Sequence, residues 1–406
     1  MKTVLVLGVG AQGSTIAKRL DTEEVVKEIR CADYDQKATS EVVEKLHKAR
    51  GYYVDAHNLD EVIKVADGVD LVVNGLAPDF NMTVMDAALD VGCNYQDMAS
   101  GPVSDVGFIE AVERCLNRGP EFEKKGLTAL INTGSAPGVA NILVRDSVDL
   151  LDSCESIEML VYDGVWSKQF IPFWWSPKTA FGDMAAEPIR FENGKFRRTK
   201  PFDYPTMEEF RGLGRRRMVD HEHEEPVTMG LLSDKVLKGV KYVNFRYGGP
   251  ALELAESLYK MGLLSEEPLN IKGVNVTPME IISELTPPAP KYPDEIQEVL
   301  NNGMIQEEAA FVVRVKGIKD GRQVFIENYV NSPTLTEAFA LAGITHESYY
   351  TGQSAFLFTK MLVNDIITRT GVFPPEVFEQ EERNYFLHEA EKLKITVDRT
   401  FSTRLF

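Results

Sequence analysis

Gly8-Val9-Gly10-Ala11-Gln12-Gly13 stands directly after the apolar run 3–7 and directly before a helical pattern over 14–20. At this spacing Gly8 permits a tight turn, Gly10 lets backbone approach a pyrophosphate, and Gly13 lets helix and strand pack closely. The amides of the helix start, around Ala11 and Gln12, then face the phosphates. A second run, 28–32, ends at Asp33, twenty positions after Gly13, where a carboxylate can hydrogen-bond ribose hydroxyls. Turn, helix and acid together predict a dinucleotide cofactor. Tyr34, Asp35 and Gln36 offer no guanidinium for a 2′-phosphate, and Asp33 with Asp35 would repel one, so NAD is expected ahead of NADP. Lys37 leaves NADP possible.

A second set of reactive groups falls where later strands of such a sheet would end. Asn74-Gly75-Leu76-Ala77-Pro78 closes an apolar run and exposes backbone on the expected nicotinamide side, which adds Asn74, Gly75 and Leu76 to the cofactor contacts. Asp97 follows Tyr95 by two positions, so both face one side of a strand. Its carboxylate could bind a substrate ammonium or accept its proton, since hydride leaves carbon readily only from a neutral amine; the alternative is a helix cap or loop turn. Tyr95 is either a partner in that chemistry or a buried core tyrosine. Asn132 and Gly134 could orient the nicotinamide carboxamide or the substrate, and Pro137-Gly138 opens a helix whose amides could receive a substrate carboxylate.

Farther along, Arg215-Arg216-Arg217 could clamp carboxylates through Arg217, or could be a solvated cluster balancing an acidic chain. His221-Glu222-His223-Glu224-Glu225, read as a strand, puts His221, His223 and Glu225 on one face. It lacks the His-Glu-x-x-His spacing and any cysteine partner, so no metal is expected and His223 is kept as an acid/base candidate. Trp174-Trp175 could wall a substrate pocket off from water, through Trp175, or pack in a core or a dimer contact.

Elements must position these groups. Helices over 40–49, 60–66, 81–91 and 105–117 alternate with strands over 52–55, 69–74, 93–97 and 127–131, which predicts an α/β fold with a Rossmann doubly wound parallel sheet. From about residue 153 the rhythm changes. Strands over 156–162 and 309–315, the latter forming a hairpin with 322–330, predict a second α/β substrate domain with a mixed or antiparallel sheet. Residues 164–219 have no clean period and suggest long functional loops. Helices are expected over 251–263, 293–301, 334–342 and 354–371. The resulting division is 1–150 for the cofactor, 151–345 for substrate and dimerisation, and 346–406 as C-terminal helices returning to the Rossmann domain.

The chain has 406 residues, 44 basic and 62 acidic side chains, and a formal charge of −18, which argues against a nucleic-acid or anionic-membrane partner. No apolar run approaches a membrane span, and the N-terminus reads as a strand instead of a signal peptide, so a cytoplasmic protein is expected. Cys31, Cys93, Cys115 and Cys154 lack metal-type spacing and are expected as buried free thiols. The hairpin turn at 317–321 and the open edge of the second sheet suggest a homodimer.

The glycine unit, Asp70-Leu71-Val72-Val73-Asn74-Gly75-Leu76, Asn94-Tyr95-Gln96-Asp97 and above all Asn132-Thr133-Gly134-Ser135-Ala136-Pro137-Gly138-Val139-Ala140-Asn141 resemble the saccharopine dehydrogenase-like family. The Ala-Pro-Gly form of the last loop is most similar to the lysine 6-dehydrogenases within it. Asn244-Phe245-Arg246-Tyr247-Gly248-Gly249 and Thr370-Gly371-Val372-Phe373-Pro374-Pro375-Glu376 extend the likeness over nearly the whole chain, whereas the aromatic loop 170–175 and the triple arginine have no place in the family pattern. The resemblance implies an NAD(P)-dependent oxidoreductase acting on the CH-NH or CH-NH2 group of an amino-acid-derived amine. Alternatives are a reductive condensing imine reductase of the carboxynorspermidine or opine type, and a non-catalytic NAD-binding protein.

Overall fold

The structure, a computed structural model, describes residues 1–403 and divides into two units, 1–146 with 350–394 and 147–349 with 395–403 of the described residues. Strands of the first unit are β1 (Lys2–Leu7), β2 (Val26–Asp33), β3 (Ala49–Tyr53), β4 (Leu71–Asn74), β5 (Asn94–Asp97) and β6 (Thr128–Leu130). The second unit then supplies β7 (Ser153–Ser167), β8 (Ile189–Glu192), β9 (Lys195–Arg198), β10 (Thr206–Phe210), β11 (Gly214–Asp220), β12 (Tyr242–Gly248), β13 (Leu269–Ile271), β14 (Val274–Val276), β15 (Met304–Lys319) and β16 (Arg322–Asn331). Last come β17 (Gly371–Phe373) in the first unit and β18 (Thr396–Thr403) in the second.

In the first unit, seven parallel strands run in the order β17-β6-β5-β4-β1-β2-β3. Residues 3–7 of β1 and all of β4 are buried, as their unbroken Val and Leu runs require of strands covered on both faces. The helix Ala11–Leu20 buries Ile16, Ala17 and Leu20, three and four residues apart, and the helix Asn81–Val91 stops at Gly92, which takes φ 75°. The carboxyl ends of β1, β4 and β5 therefore lie side by side, with the turn after each strand at one edge of the sheet.

The second unit is a nine-stranded mixed sheet in the order β10-β11-β12-β7-β15-β16-β18, with β8 paired to β12 and β9 to β8. Its β12–β7 pair is parallel, while the β15–β16 hairpin is antiparallel as expected. Register gives the two faces opposite characters. Val243, Ile157, Val315 and Ile326 line up across β12, β7, β15 and β16 on one face, all fully buried. One position along, on the other face, stand Asn244, Glu158, Arg314 and Glu327.

Four expectations fail. The segment 164–219 is not loop: β7 runs on to Ser167, and the helix Pro177–Ala185 and the hairpins β8–β9 and β10–β11 follow, joined to the sheet where β8 and β11 pair with β12. The helix expected over 354–371 is the helix His346–Val363, followed by β17. Residues 396–403 are not helical, since β18 pairs with β16 over its whole length, so on this side the sheet ends at β18 and not at the hairpin, while β10 ends the other side. The last three residues of the expected C-terminal segment, 404–406, lie outside the described residues. The four cysteines are free and buried.

Candidate functional site: a dinucleotide turn and a polar crevice

The glycine turn has the shape a dinucleotide requires. Gly8 takes φ 86°, where a Cβ would meet the Gly75 backbone at 2.9 Å. A Cβ on Gly13 would run into the Gly8 carbonyl, whereas one on Gly10 would meet nothing within 4 Å. Two glycines therefore serve the protein's own packing, and the third leaves room for a ligand. Gly10 is the N-cap of the helix Ala11–Leu20 and no side chain caps it. Gln12 adds a buried Oε1 without a hydrogen-bond partner. Asp33, at the end of β2, is 9% exposed; its Oδ2 accepts the Val9 N–H at 2.9 Å and its Oδ1 accepts the Asp35 N–H at 3.0 Å. Each oxygen keeps a second lone pair for a ribose hydroxyl. Tyr34 is exposed, Asp35 caps the helix Gln36–Val43, and Lys37 lies 3.8 Å from Glu41. These residues fit an NAD(P) pyrophosphate and ribose.

At the ends of β4, β5 and β6 the expected residues meet in one hydrogen-bonded network. Asn74 donates to Asn81 Oδ1 at 2.8 Å, accepts from the Leu76 N–H at 3.2 Å and lies 3.3 Å from the Tyr95 hydroxyl. Tyr95 donates to Asp97 Oδ2 at 3.0 Å, and Asp97 Oδ1 accepts the Asn132 N–H at 2.8 Å. Asp97 is 1% exposed, and burial pushes its carboxyl up to about 7 against the pull of those two donors. Burial also raises the Tyr95 phenol well above its ordinary range. Asn132 takes φ 62° and is fully buried; its Oδ1 accepts from Ser100 while its Nδ2 has no partner, a donor available to a carboxamide or carboxylate.

The helix start after Pro137 is already engaged. The Gly138 N–H donates to Asn141 Oδ1 at 2.7 Å, Val139 to the Gly134 carbonyl and Ala140 to the Ser135 carbonyl. The amides expected to hold a carboxylate thus have partners in the chain, and Gly134 donates to the Pro137 carbonyl. Sequence reasoning also missed a cavity of about 650 Å³ in this unit, lined by His57, Asp79, Phe80, Asn81, Ser100 and Arg114 among others. Asn81, which lines it, bonds both Asn74 and the Ala99 carbonyl. Pro78 after the strand end was its one local signal.

The second unit redistributes its candidates. The triple arginine does not act together: Arg216 pairs with Glu308 at 2.7 Å, Arg217 with Glu256 at 2.9 Å, and Arg215 is exposed, because alternate residues of β11 face opposite sides. Trp175 packs edge-on against Phe173 and Tyr247. The expected strand over 221–225 is absent; β11 ends at Asp220 and Glu225 begins the helix Glu225–Leu231, with Pro226 in its first turn. His223 stacks on Phe245 at 3.8 Å and contacts Glu225 and Glu224 through Nδ1. Burial works against its charge, yet the Glu225, Glu224 and Asp183 carboxylates hold it up at about 9. His221, buried beside it, is pushed down to about 3.

A doubly wound sheet with this turn and acid defines a dinucleotide-binding protein. Residues 4–130 match the saccharopine dehydrogenase NADP binding domain and residues 134–395 the saccharopine dehydrogenase C-terminal domain. The chain therefore belongs to the saccharopine dehydrogenase family and is an NAD(P)-dependent oxidoreductase. Carboxynorspermidine synthase of Vibrio cholerae is 24% identical over 356 residues, 81% of each chain. Carboxyaminopropylagmatine dehydrogenase of a Synechocystis species is 21% identical over 386 residues, 94% of each. The fold is that of the saccharopine dehydrogenase (L-Glu forming) of Saccharomyces cerevisiae, with a TM-score of 0.71 at 14% identity over 99% of this chain and 100% of that one. Among the described residues no helix is long and apolar enough to cross a membrane.

Proposed function

We propose that the chain moves a hydride between NAD(P) and the carbon of a C–N bond in a carboxylated, amino-acid-derived secondary amine, working in the direction of reductive condensation. What supports this direction over lysine oxidation is one observation: a relative matched over 81% of its length carries the name of a synthase of a carboxylated polyamine, and a second, matched over 94%, the name of a dehydrogenase of a similar compound. The bound cofactor supplies the hydride. The chain's own residues bind and orient. The glycine turn and Asp33 hold pyrophosphate and ribose, and the Asn132 Nδ2 donates to the nicotinamide carboxamide or the substrate. We read Asp97 and Tyr95 as positioning residues, because Asp97 is 1% exposed and Tyr95 fully buried, with the carboxylate bonded to Asn132 and Tyr95 inside the fold. We read His223 as a charge carrier in its cluster and not as the acid/base group. Trp175 is read as lining for the substrate, and Arg217, paired with Glu256, as outside direct substrate contact.

Local charge favours NAD over the NADP of the family description: nothing cationic follows Asp33 except Lys37, which lies beside Glu41. We also propose a cytoplasmic homodimer joined through the β18 edge, which light scattering at micromolar concentration tests. For the activity, loss of reduced-cofactor absorbance is followed with an amino-acid aldehyde and a panel of amines, and cofactor reduction with lysine and saccharopine. Condensation with a di- or polyamine is the expected outcome. Oxidation of lysine without any condensation overturns the direction, and activity on a neutral alcohol overturns the amine reading.

A further inference from the structure

The second unit gathers one imidazole and two carboxylates where β11 gives way to the helix Glu225–Leu231. His223, Glu224 and Glu225 each bring one ligand-type atom, and these atoms lie within 4.8 Å of one another. His223 Nδ1 stands 3.5 Å from Glu224 Oε2 and contacts Glu225 Oε2. As a strand, 221–225 would turn Glu224 to the far face; the helix start brings it back beside His223. The backbone under the three groups is fixed from outside. The His223 ring stacks on Phe245 at 3.8 Å, and the helix is pressed so closely on the β8–β9 hairpin that a Cβ on Gly230 would meet Phe191 and Phe196 at 2.6 Å.

Two oxygens here lack partners. Glu225 is fully buried and its Oε1 has no hydrogen-bond partner. Thr228, fully buried too, stands three positions along on the same helix face, and its hydroxyl has none either. Such groups are costly in an interior when left unmatched. Neither oxygen is open to solvent, so a partner must be small. A bare ion needs only the space between the donor atoms, whereas an organic group needs a pocket.

We propose that His223, Glu224 and Glu225, with the Thr228 hydroxyl, bind one divalent first-row metal ion, manganese or zinc, in a structural site of the second unit. One imidazole nitrogen among oxygens suits these ions, while magnesium and calcium favour oxygen alone. Donor atoms about 2.1 Å from an ion stand about 3 to 3.5 Å apart, the spacing that His223 and Glu224 already have; Glu225 has to draw back from the imidazole. Coordination takes the imidazole neutral and the carboxylates ionised, so the ion enters in exchange for the protons these groups hold without it. The site lies within one unit and takes no part in hydride transfer, so it stands or falls apart from the reaction proposed above.

The test is metal uptake by the full-length protein after EDTA treatment, followed by calorimetric titration with manganese or zinc chloride and by Tm. The expected result is one equivalent of one of these ions per chain, and a Tm raised by about 5 °C or more at a hundredfold excess over Kd. Magnesium chloride is expected to give neither. Glu224→Gln and His223→Asn keep size and should each weaken uptake about tenfold or more and cancel the rise in Tm, with NAD affinity unchanged. A variant that does not fold is replaced by Thr228→Val, which removes a hydroxyl that bonds nothing. Its metal-free Tm should not fall, and the ion should bind about threefold more weakly or worse. Absence of stoichiometric uptake by the wild type overturns the site, and so does uptake that the variants retain undiminished.

Discussion

The two sheets solve different problems, and the contrast shows where each unit keeps its chemistry. In the parallel sheet both faces are apolar, so polar groups can gather only at strand ends, and the groups that meet a ligand are backbone amides and short side chains placed by topology. The sheet of the second unit has one apolar face and one charged face. On the latter Asp220, fully buried, lies between Arg190 and Arg246, Arg246 reaches Glu208 at 3.3 Å, and Arg314 joins Glu208 and Glu327 at 2.6 and 2.8 Å. Position is set there by ion pairs. Damage to the first unit should therefore appear as lost cofactor, and damage to the second as lost stability.

The largest expected effect attacks the second half of that contrast. Arg246→Met removes a guanidinium that serves Asp220, Glu158 and Glu208 at once and leaves charge buried without its partner, for which about 3 kcal/mol of stability is the expected loss by denaturant unfolding. NAD affinity should hold. A loss confined to cofactor binding would erase the contrast.

The first half is sharpened by two glycines. Gly13→Ala forces helix and turn apart, because its Cβ meets the Gly8 carbonyl, and should cost about 2 kcal/mol together with most cofactor affinity. Gly10→Ala has open space and should leave Tm nearly unchanged while weakening the cofactor. Equal Tm losses in the two variants would mean that Gly10 is a packing residue too.

The same contrast explains what could be read without a structure. β1, the turn and Asp33 form one local unit whose spacing carries its geometry, so the cofactor site was visible in thirty-odd residues. The strands β8 to β11 form two local hairpins, β8–β9 and β10–β11, and were missed although Asn193-Gly194, at φ 49° and 79°, is a two-residue hairpin turn that the sequence displays openly; only the pairing of β8 and β11 with β12 is distant. Likewise Pro226 signalled a helix start where alternation of His and Glu suggested a strand. Tyr95 beside Asp97 could be read from their spacing on one strand, but the second bond to Asp97 could not, since Asn132 becomes its neighbour only when β5 and β6 pair.

Asp97 offers the next test. Its carboxyl is raised to about 7, above its unfolded value near 4, so the neutral form is the stabilised one. Its contribution is complete below pH 4 and is lost as pH rises through 7, at no more than about 1.4 kcal/mol per pH unit. Asp97→Asn mimics the neutral acid and should flatten the slope of stability between pH 5 and 7 with little change in turnover. A collapse of kcat at unchanged cofactor affinity would make Asp97 the proton acceptor after all.

The smallest effect concerns cofactor choice, where side-chain charge and backbone geometry act on one residue. Asp33 receives the Val9 and Asp35 amides and, in the proposed complex, the adenosine ribose. Asp33→Ala should weaken NAD by about 1 kcal/mol, near fivefold, because a hydrogen bond to a charged acceptor is lost and the Val9 N–H of the glycine turn loses its acceptor with it. NADP should weaken less or improve, since the carboxylate that would repel a 2′-phosphate is gone. Fluorescence titration of both reduced cofactors against both proteins gives four constants, and the reading depends on their ratio. A wild type that already prefers NADP would show that the charge of Asp33 does not govern the choice, and that selection rests on groups beyond the end of β2.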